Sequence, residues 1–294
     1  MALPTPTRSG YTFKGWAASS SASSGVTGNY TPTSNITLYA TWQIKTYTLT
    51  LNKGTGVASF TGAGTYNYAA NASTTATAAI GYHLTKYAGT LADGSGTEEW
   101  PLNTTNTTPI KDNNTWAMYA NRTITAYATA NTYIITYDSN GGTGTMENST
   151  ATYNANFLTR ANTYGKTGHQ FNGWNEAADG TGIAWTLQSL GVYEHGLPWT
   201  WTYVQDITLY AQWNPNTYYI QYNSNGGTGT MANSTHRYGI FSNLTKNAFS
   251  RAGYKFKGWA TSSTATTAIY SDGHSISTMT AVNGEIITLY AVWA

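Results

Sequence analysis

The sequence predicts a mainly β protein built from small domains in tandem, with an α+β protein as the alternative. A seven-residue pattern, Ile-Thr-Leu-Tyr-Ala-x-Trp, recurs along the chain, and its apolar and polar residues alternate as in a strand with one buried face. The pattern lies at residues 36–42, 207–213 and 287–293, with an altered copy, ITAYATA, at 124–130. Successive copies end 88, 83 and 80 residues apart. That spacing is too long for a solenoid coil and fits a small domain with its own core.

Each copy of this pattern is predicted to be a strand, because Ile, Thr, Leu, Tyr and Trp suit a half-buried pleated surface. The tryptophans of this pattern and of the aromatic pattern described next are predicted to be buried in the core. They are Trp16, Trp174, Trp213, Trp259 and Trp293. The altered copy has alanines at the inward positions, so Trp116 and Met118 are expected to fill that core instead.

An aromatic pattern comes before each heptapeptide. It reads GYTFKGWA at 10–17, GYHLTKYA at 81–88, GHQFNGWN at 168–175 and GYKFKGWA at 253–260. The second copy has Tyr87 where the others have tryptophan. We predict a strand for this pattern as well.

A glycine-rich pattern opens two of the repeats. It reads YDSNGGTGTM at 137–146 and YNSNGGTGTM at 222–231, and each copy follows an alternating run typical of a strand. Asn-Gly-Gly after a strand indicates a chain reversal, so Gly141 and Gly226 are predicted to have positive φ. Any helix of the α+β alternative is expected around residues 156–163 or 242–250.

Taken in this order, the three patterns resemble the Listeria–Bacteroides repeat, also called the internalin B-repeat family. The resemblance divides the chain into four segments. They are a C-terminal half repeat at 1–43, a diverged repeat two at 44–130, a full repeat three at 131–213 and a full repeat four at 214–294. It implies small β-grasp-like domains, in tandem, in bacterial surface proteins. It also implies extracellular spacing and adhesion, with no catalytic residues to transfer.

Composition narrows the functional classes. Only 9% of residues are charged and the net charge is +2, so there is no basic patch for nucleic acid. No signal peptide and no membrane-spanning apolar stretch is visible. With the resemblance, these features predict a segment of a longer exported protein on the bacterial cell surface. The chain has no cysteine, which is compatible with the cytosol as well as with an exported bacterial adhesin and by itself decides nothing.

Catalytic and metal chemistry are not predicted. No two of the five histidines lie within four residues of each other, so no metal-binding pair is evident. Glu194 and His195 are adjacent, and neighbouring residues of a strand point to opposite faces. The sequence therefore predicts a protein that is not an enzyme and that has no cofactor.

Repeat three carries an aromatic insert at residues 183–206 that has no counterpart in the other repeats. Trp199, Trp201 and Tyr203 alternate and are predicted to share one strand face, which Trp185 and Tyr193 could join. Exposed flat rings could bind a cell-surface glycan or a host protein. The alternative is that these rings fill the core of repeat three or a junction with a neighbour.

The favoured function is an extracellular spacer or stalk that presents or supports adhesion. Short connections between repeats predict an extended, semi-rigid array. The alternative is a glycan- or host-protein-binding module that uses the insert. The half repeat lacks its opening strand, so residues 1–43 are predicted to pack on repeat two, whose core has room for them. The expected state is a monomer, and the alternative is strand addition from another molecule.

Overall fold

The computed structural model describes residues 1–185, 187–188, 192–193 and 199–294, and for residues 187–188, 192–193 and 199 it describes the backbone alone. These residues form strands, turns and irregular segments. No helix is found among them, and therefore none that could cross a membrane. The mainly β prediction is confirmed. The helix of the α+β alternative is absent from both predicted segments, which are rich in Asn and Thr, both weak helix formers.

The strands fall into four groups along the chain. The first group, in the half repeat, contains β1 (Tyr11–Ala17) and β2 (Tyr39–Ile44). Repeat two contains β3 (Thr46–Lys53), β4 (Val57–Thr61), β5 (Gly64–Asn67), β6 (Asn71–Ala78), β7 (Tyr82–Thr90), β8 (Thr97–Pro101), β9 (Lys111–Ala117) and β10 (Arg122–Ala130).

Repeat three contains β11 (Thr132–Asp138), β12 (Ser149–Thr152), β13 (Asn156–Phe157), β14 (His169–Asn175), β15 (Ala184–Trp185), β16 (Leu187–Gln188), β17 (Val192–Tyr193), β18 (Trp199–Thr200) and β19 (Ile207–Pro215). Repeat four contains β20 (Thr217–Asn223), β21 (Ser234–Arg237), β22 (Ser242–Asn243), β23 (Phe256–Ala260), β24 (Ser275–Ile276) and β25 (Ile286–Trp293). Strands β2 and β19 run one or two residues past the predicted segment ends.

The main sheets of repeats two, three and four share one strand order. The orders are β5-β3-β10-β7-β8, β12-β11-β19-β14-β15 and β21-β20-β25-β23. In each, the heptapeptide strand lies at the centre, parallel to the opening strand and antiparallel to the aromatic-pattern strand. This order is compatible with the β-grasp-like arrangement that the resemblance implies. Repeat two keeps it although its sequence has diverged most.

Smaller sheets complete each repeat. Repeat two has a three-stranded sheet, β4-β6-β9, while repeat three has the pairs β13-β18 and β16-β17, and repeat four has the pair β22-β24. The described residues divide into two compact units. The first comprises residues 1–133, 151–157 and 200–205, and the second comprises the described residues of 134–150, 158–199 and 206–294.

The heptapeptide strand faces the core as its alternation predicts. In repeat three, Leu209 and Ala211 are fully buried, as are Leu289 and Ala291 in repeat four. The aromatic-pattern tryptophans beside them, Trp174 and Trp259, are also buried. In repeat two, the same place opposite Ala126 is taken by Tyr87.

Repeat two fills its core with aromatic and sulfur-containing side chains from outside the heptapeptide. Trp116 and Met118 are buried there, as predicted, and the Trp116 ring contacts the rings of Tyr87 and Trp100 at 5.5 and 5.0 Å. The expectation that this core has room for the half repeat is therefore wrong. The core is already occupied by repeat two's own side chains.

Three of the five tryptophans predicted to be buried are only half-buried: Trp16, Trp213 and Trp293. The last two sit at the end of the heptapeptide strand, where the indole N–H reaches the Asn-Gly-Gly turn. Trp213 Nε1 donates to the Ser139 carbonyl at 2.9 Å. Trp16 belongs to the half repeat, which has no opening strand to cover its ring, and its Nε1 donates to the Pro4 carbonyl at 2.8 Å.

The Asn-Gly-Gly turns have the predicted geometry. Gly141 and Gly226 have φ values of 81° and 87°, and the preceding Asn140 and Asn225 both have φ of 47°. Two successive positive φ values are the signature of a type I′ turn. The prediction for both glycines is confirmed.

Each of these turns is held against the heptapeptide strand by side-chain hydrogen bonds. In repeat four, Asn225 Nδ2 donates to the Ala291 carbonyl at 3.0 Å. Trp293 Nε1 donates back to the Ser224 carbonyl at 2.8 Å. Repeat three has the matching pair of bonds, Asn140 to Ala211 at 2.9 Å and Trp213 to Ser139. We call this arrangement the turn clamp. It explains why the Asn-Gly-Gly and heptapeptide patterns occur together.

Residues 1–43 contain the predicted hairpin-like remnant, in which β1 and β2 pair antiparallel. The rings of Phe13, Trp16 and Trp42 pack edge to face at 5.8 and 5.5 Å. The remnant contacts repeat two, where Ser9 Oγ lies 3.0 Å from the Tyr68 hydroxyl.

Candidate functional site: the aromatic insert and the joints between repeats

Trp185 of the insert is a core residue. It lies on β15, paired with Trp174 on β14, and its side chain is buried. Its Nε1 donates to Glu176 Oε1 at 3.1 Å. In this position the ring extends the core of repeat three and offers no free face to a ligand.

Trp201 is fully buried and packs against the rings of Phe157 and Tyr203, both at 5.1 Å. The predicted strand through residues 199–203 is wrong, because β18 ends at Thr200. Beyond it, the Trp201 N–H donates to the Ala155 carbonyl at 2.8 Å, and the Trp201 carbonyl accepts from the Asn154 N–H at 2.8 Å. These two backbone bonds keep the Trp201 ring beside Phe157.

The remaining members of the predicted binding face are placed only in part. Tyr203 is half-buried. The side chains of Tyr193 and Trp199 lie outside the described residues. The burial of Trp185 and Trp201 favours the core alternative for these two rings. Ligand binding by the insert stays a prediction.

Titratable groups do not converge on a cleft in the described part of the chain. Its two ion pairs, Lys86–Glu99 at 2.5 Å and Arg160–Glu147 at 3.6 Å, lie at the surface. Its His, Asp and Glu residues form no group of three that could hold a metal ion. Burial, assisted by a hydrogen bond to Asp112, raises the pKa of Tyr87, and burial lowers the pKa of His236. Both side chains are buried.

A recurrent contact connects successive repeats, and we call it the joint. It consists of the glycine that begins an aromatic pattern and a tyrosine from the following repeat. The three pairs are Gly10 with Tyr68, Gly81 with Tyr153, and Gly168 with Tyr238. The tyrosine ring lies so close that a Cβ on the glycine would come within 2.0 to 2.2 Å of a ring carbon. Only glycine therefore fits this position.

Backbone hydrogen bonds repeat the same geometry at every joint. A residue of the connecting segment donates its N–H to the glycine carbonyl, and its own carbonyl accepts from the tyrosine N–H. The connecting residues are Lys45, Asn131 and Asn216, and these bonds measure 2.7 to 2.9 Å. At two joints the residue after the glycine adds a ring contact, Tyr82 with Tyr153 at 5.7 Å and His169 with Tyr238 at 5.8 Å.

The joint was missed by sequence reasoning, although it has a sequence signal. Each joint tyrosine directly follows the edge strand that pairs with the opening strand of its repeat, and Tyr68, Tyr153 and Tyr238 recur at intervals of 85 residues. The connecting segments between repeats were identified, but the residue that receives the tyrosine was interpreted only as part of a strand pattern.

Comparison with known sequences agrees with the repeat architecture. The family model for the Listeria–Bacteroides repeat domain matches residues 1–41, 133–212 and 218–292, which together exceed half of the chain. The main sheet of repeat two, between the first two matches, has the same strand order.

Two proteins of Evansella cellulosilytica are similar to the chain, each 28% identical over 298 residues, and they are named "Putative membrane protein" and "Putative Gly-rich membrane protein". The alignments cover 99% and 98% of this chain but only 40% and 30% of those proteins, so the chain spans less than half of their length. No solved structure matches the chain. The three matched segments and the order of their patterns show that this chain belongs to the Listeria–Bacteroides repeat domain family.

Proposed function

We propose that the chain is an extracellular spacer of a bacterial surface protein, in which each repeat is fixed to the next and the array presents an adhesive element. The observation that carries this proposal is the joint, which recurs three times with the same glycine, tyrosine and backbone hydrogen bonds. A spacer needs successive domains to keep a defined relation. A flexible linker would provide reach without that order.

Two further observations support this proposal. The two buried insert tryptophans, Trp185 and Trp201, add to a core. The similar proteins carry names of membrane proteins, which agrees with a place at the cell surface. Presentation of an adhesive partner by this array is part of the proposal.

Small-angle X-ray scattering of the whole chain tests the spacer. A single compact globule of this length would have a radius of gyration of about 19 Å, and an unfolded chain of about 60 Å. A spacer is expected to fall clearly between these limits while its scattering profile keeps the signature of folded domains. The chain in guanidinium chloride is the control for the upper limit. A radius near that of the compact globule would contradict the proposal.

A further inference from the structure

Repeat four carries a fourth joint glycine, Gly253, and its environment differs from that of the other three. Its φ of 78° is close to the values of 74°, 75° and 68° at Gly10, Gly81 and Gly168. Within the described chain, however, no atom other than those of Gly253 and its two adjacent residues lies within 4 Å of the position that a Cβ on Gly253 would take. No backbone hydrogen bond between described residues ends on its carbonyl oxygen. The neighbouring Tyr254 is half exposed.

The surroundings of Gly253 match those of the occupied half-repeat joint. The Arg251 guanidinium carbon lies 4.1 Å over the Tyr254 ring, and in the half repeat the Arg8 carbon lies 3.9 Å over the Tyr11 ring. The half-repeat joint holds its tyrosine, Tyr68, in this arrangement. The face formed by Arg251, Gly253 and Tyr254, which we call the open socket, therefore needs no rearrangement to accept a ring.

We infer that the open socket is a binding site for the joint tyrosine of another Listeria–Bacteroides repeat that follows repeat four. The three occupied joints define this partner. It offers a short edge strand followed directly by a tyrosine, and a connecting residue whose N–H donates to the glycine carbonyl. This inference rests on the proposed function, because it extends the same joint to the face where the described chain leaves it empty.

A second copy of this chain is a poor partner for the socket. Its joint tyrosines, Tyr68, Tyr153 and Tyr238, already lie against glycines of their own chain. Its half repeat lacks the strand that would carry a further joint tyrosine. A following repeat presents an unused tyrosine on the same polypeptide, so no association of free molecules is required.

The test is the complete chain, alone and extended after Trp293 by a second copy of residues 214–294. Nuclear magnetic resonance of isotope-labelled glycine then reports the ring above each joint glycine. The Hα signals of Gly10, Gly81 and Gly168 are expected upfield, because the face of a tyrosine ring lies against each. The Gly253 signal is expected at an ordinary position in the chain alone and upfield in the extended chain. Tyr238→Ala in the appended copy should return the Gly253 signal to its ordinary position.

A matched pair of substitutions provides the second measurement. Gly168→Ala and Gly253→Ala share the strain of an L-residue at positive φ, so that cost cancels in the comparison. In the chain alone, Gly168→Ala is expected to lower Tm several-fold more than Gly253→Ala does, because its Cβ would come within 2.2 Å of a carbon in the Tyr238 ring. In the extended chain, Gly253→Ala should become as harmful as Gly168→Ala.

Three outcomes would overturn the inference. One is an unshifted Gly253 signal in an extended chain whose other joint glycines keep their shifts. Another is an appended repeat that stays unfolded on an intact chain. The third is self-association of the unextended chain that Gly253→Ala abolishes, which would make a second copy the partner. None of these measurements depends on the radius of gyration, so failure of the socket and failure of the spacer are distinguishable.

Discussion

Repeats three and four make the same hydrogen bonds through one tyrosine of the opening strand. In each, the hydroxyl bonds to a serine hydroxyl of the second strand and accepts a backbone N–H from the segment that follows. The bonds are Tyr137 to Ser149 at 2.9 Å and from Arg160 at 2.9 Å in repeat three, and Tyr222 to Ser234 at 2.8 Å and from Thr245 at 2.7 Å in repeat four. The turn clamp is also common to both.

The two repeats differ in what lies beside this shared frame. Repeat four places the buried His236 between two serines, with Nε2 2.7 Å from Ser234 Oγ and Nδ1 2.6 Å from Ser242 Oγ. The equivalent positions of His236 and Ser242 in repeat three are Ala151 and Phe157, both buried. A polar, hydrogen-bonded pair and an apolar pair thus solve the same packing problem. The tyrosine hydrogen bonds and the turn clamp are common to both repeats. The residue of the second strand and its partner on the next short strand differ, and they differ as a pair.

The largest expected effect separates the buried tryptophans from those of the turn clamp. Trp259→Ala removes a fully buried ring and should cost about 3–5 kcal/mol of folding free energy, as large-to-small core changes do. Trp293→Ala removes a half-buried ring and one hydrogen bond, so its cost should be smaller. Urea denaturation followed by the nuclear magnetic resonance signals of repeat four measures both. The same order is expected for Trp174→Ala and Trp213→Ala in repeat three. Equal costs for the buried tryptophans and for those of the turn clamp would contradict the distinction between them.

A smaller effect is expected from the asparagine of the turn clamp. Asn225→Ala removes the hydrogen bonds from its Nδ2 to the Ser263 and Ala291 carbonyls, at 2.9 and 3.0 Å. With about 1 kcal/mol for each bond, the loss of stability should be roughly 2 kcal/mol. Asn225→Gly is the control, because it tolerates the positive φ but also lacks the side chain.

Repeat three provides the matching test at Asn140. If Asn225→Gly restores full stability, the backbone conformation matters and the side-chain bonds do not. If both variants lose stability, the bonds to the strand stabilise the turn. Equal losses at Asn140 and Asn225 would confirm that the clamp is one device used twice.

Sequence patterns predicted the parts of the fold that depend on neighbouring residues. Alternation identified the heptapeptide strands, and the Asn-Gly-Gly pattern gave positive φ at Gly141 and Gly226 because both depend on local backbone preference. Trp213 was predicted to be buried for the same reason. Its half-buried position depends on Ser139, 74 residues earlier in the chain, which alternation cannot detect.

The candidate site was less accessible to sequence reasoning. The insert was identified from its tryptophans, but whether Trp201 faces solvent depends on Phe157, which belongs to a different strand. The joints depend on pairs such as Gly81 and Tyr153, which lie in different repeats. A recurrence of single tyrosines at a constant interval would have indicated them. The interval alone does not say which residue receives the ring.

The smallest expected effect concerns pH and returns to the pair that distinguishes the two repeats. Burial lowers the pKa of His236, so the folded repeat keeps this ring neutral where an unfolded histidine would gain a proton. An unfolded histidine titrates near pH 6.5, so the unfolded state binds more protons below that value and the stability of repeat four should fall there, by up to about 1.4 kcal/mol per pH unit. Above that pH the contribution is constant.

The matched control is the double substitution His236→Ala and Ser242→Phe, which gives repeat four the pair found in repeat three. Urea denaturation at acidic and neutral pH, read from the signals of β20 and β25, should show a steeper loss in the natural chain than in the control. Equal pH dependence in both would mean that His236 accepts its proton in the folded state, with Ser234 and Ser242 as acceptors, and that burial does not hold it neutral.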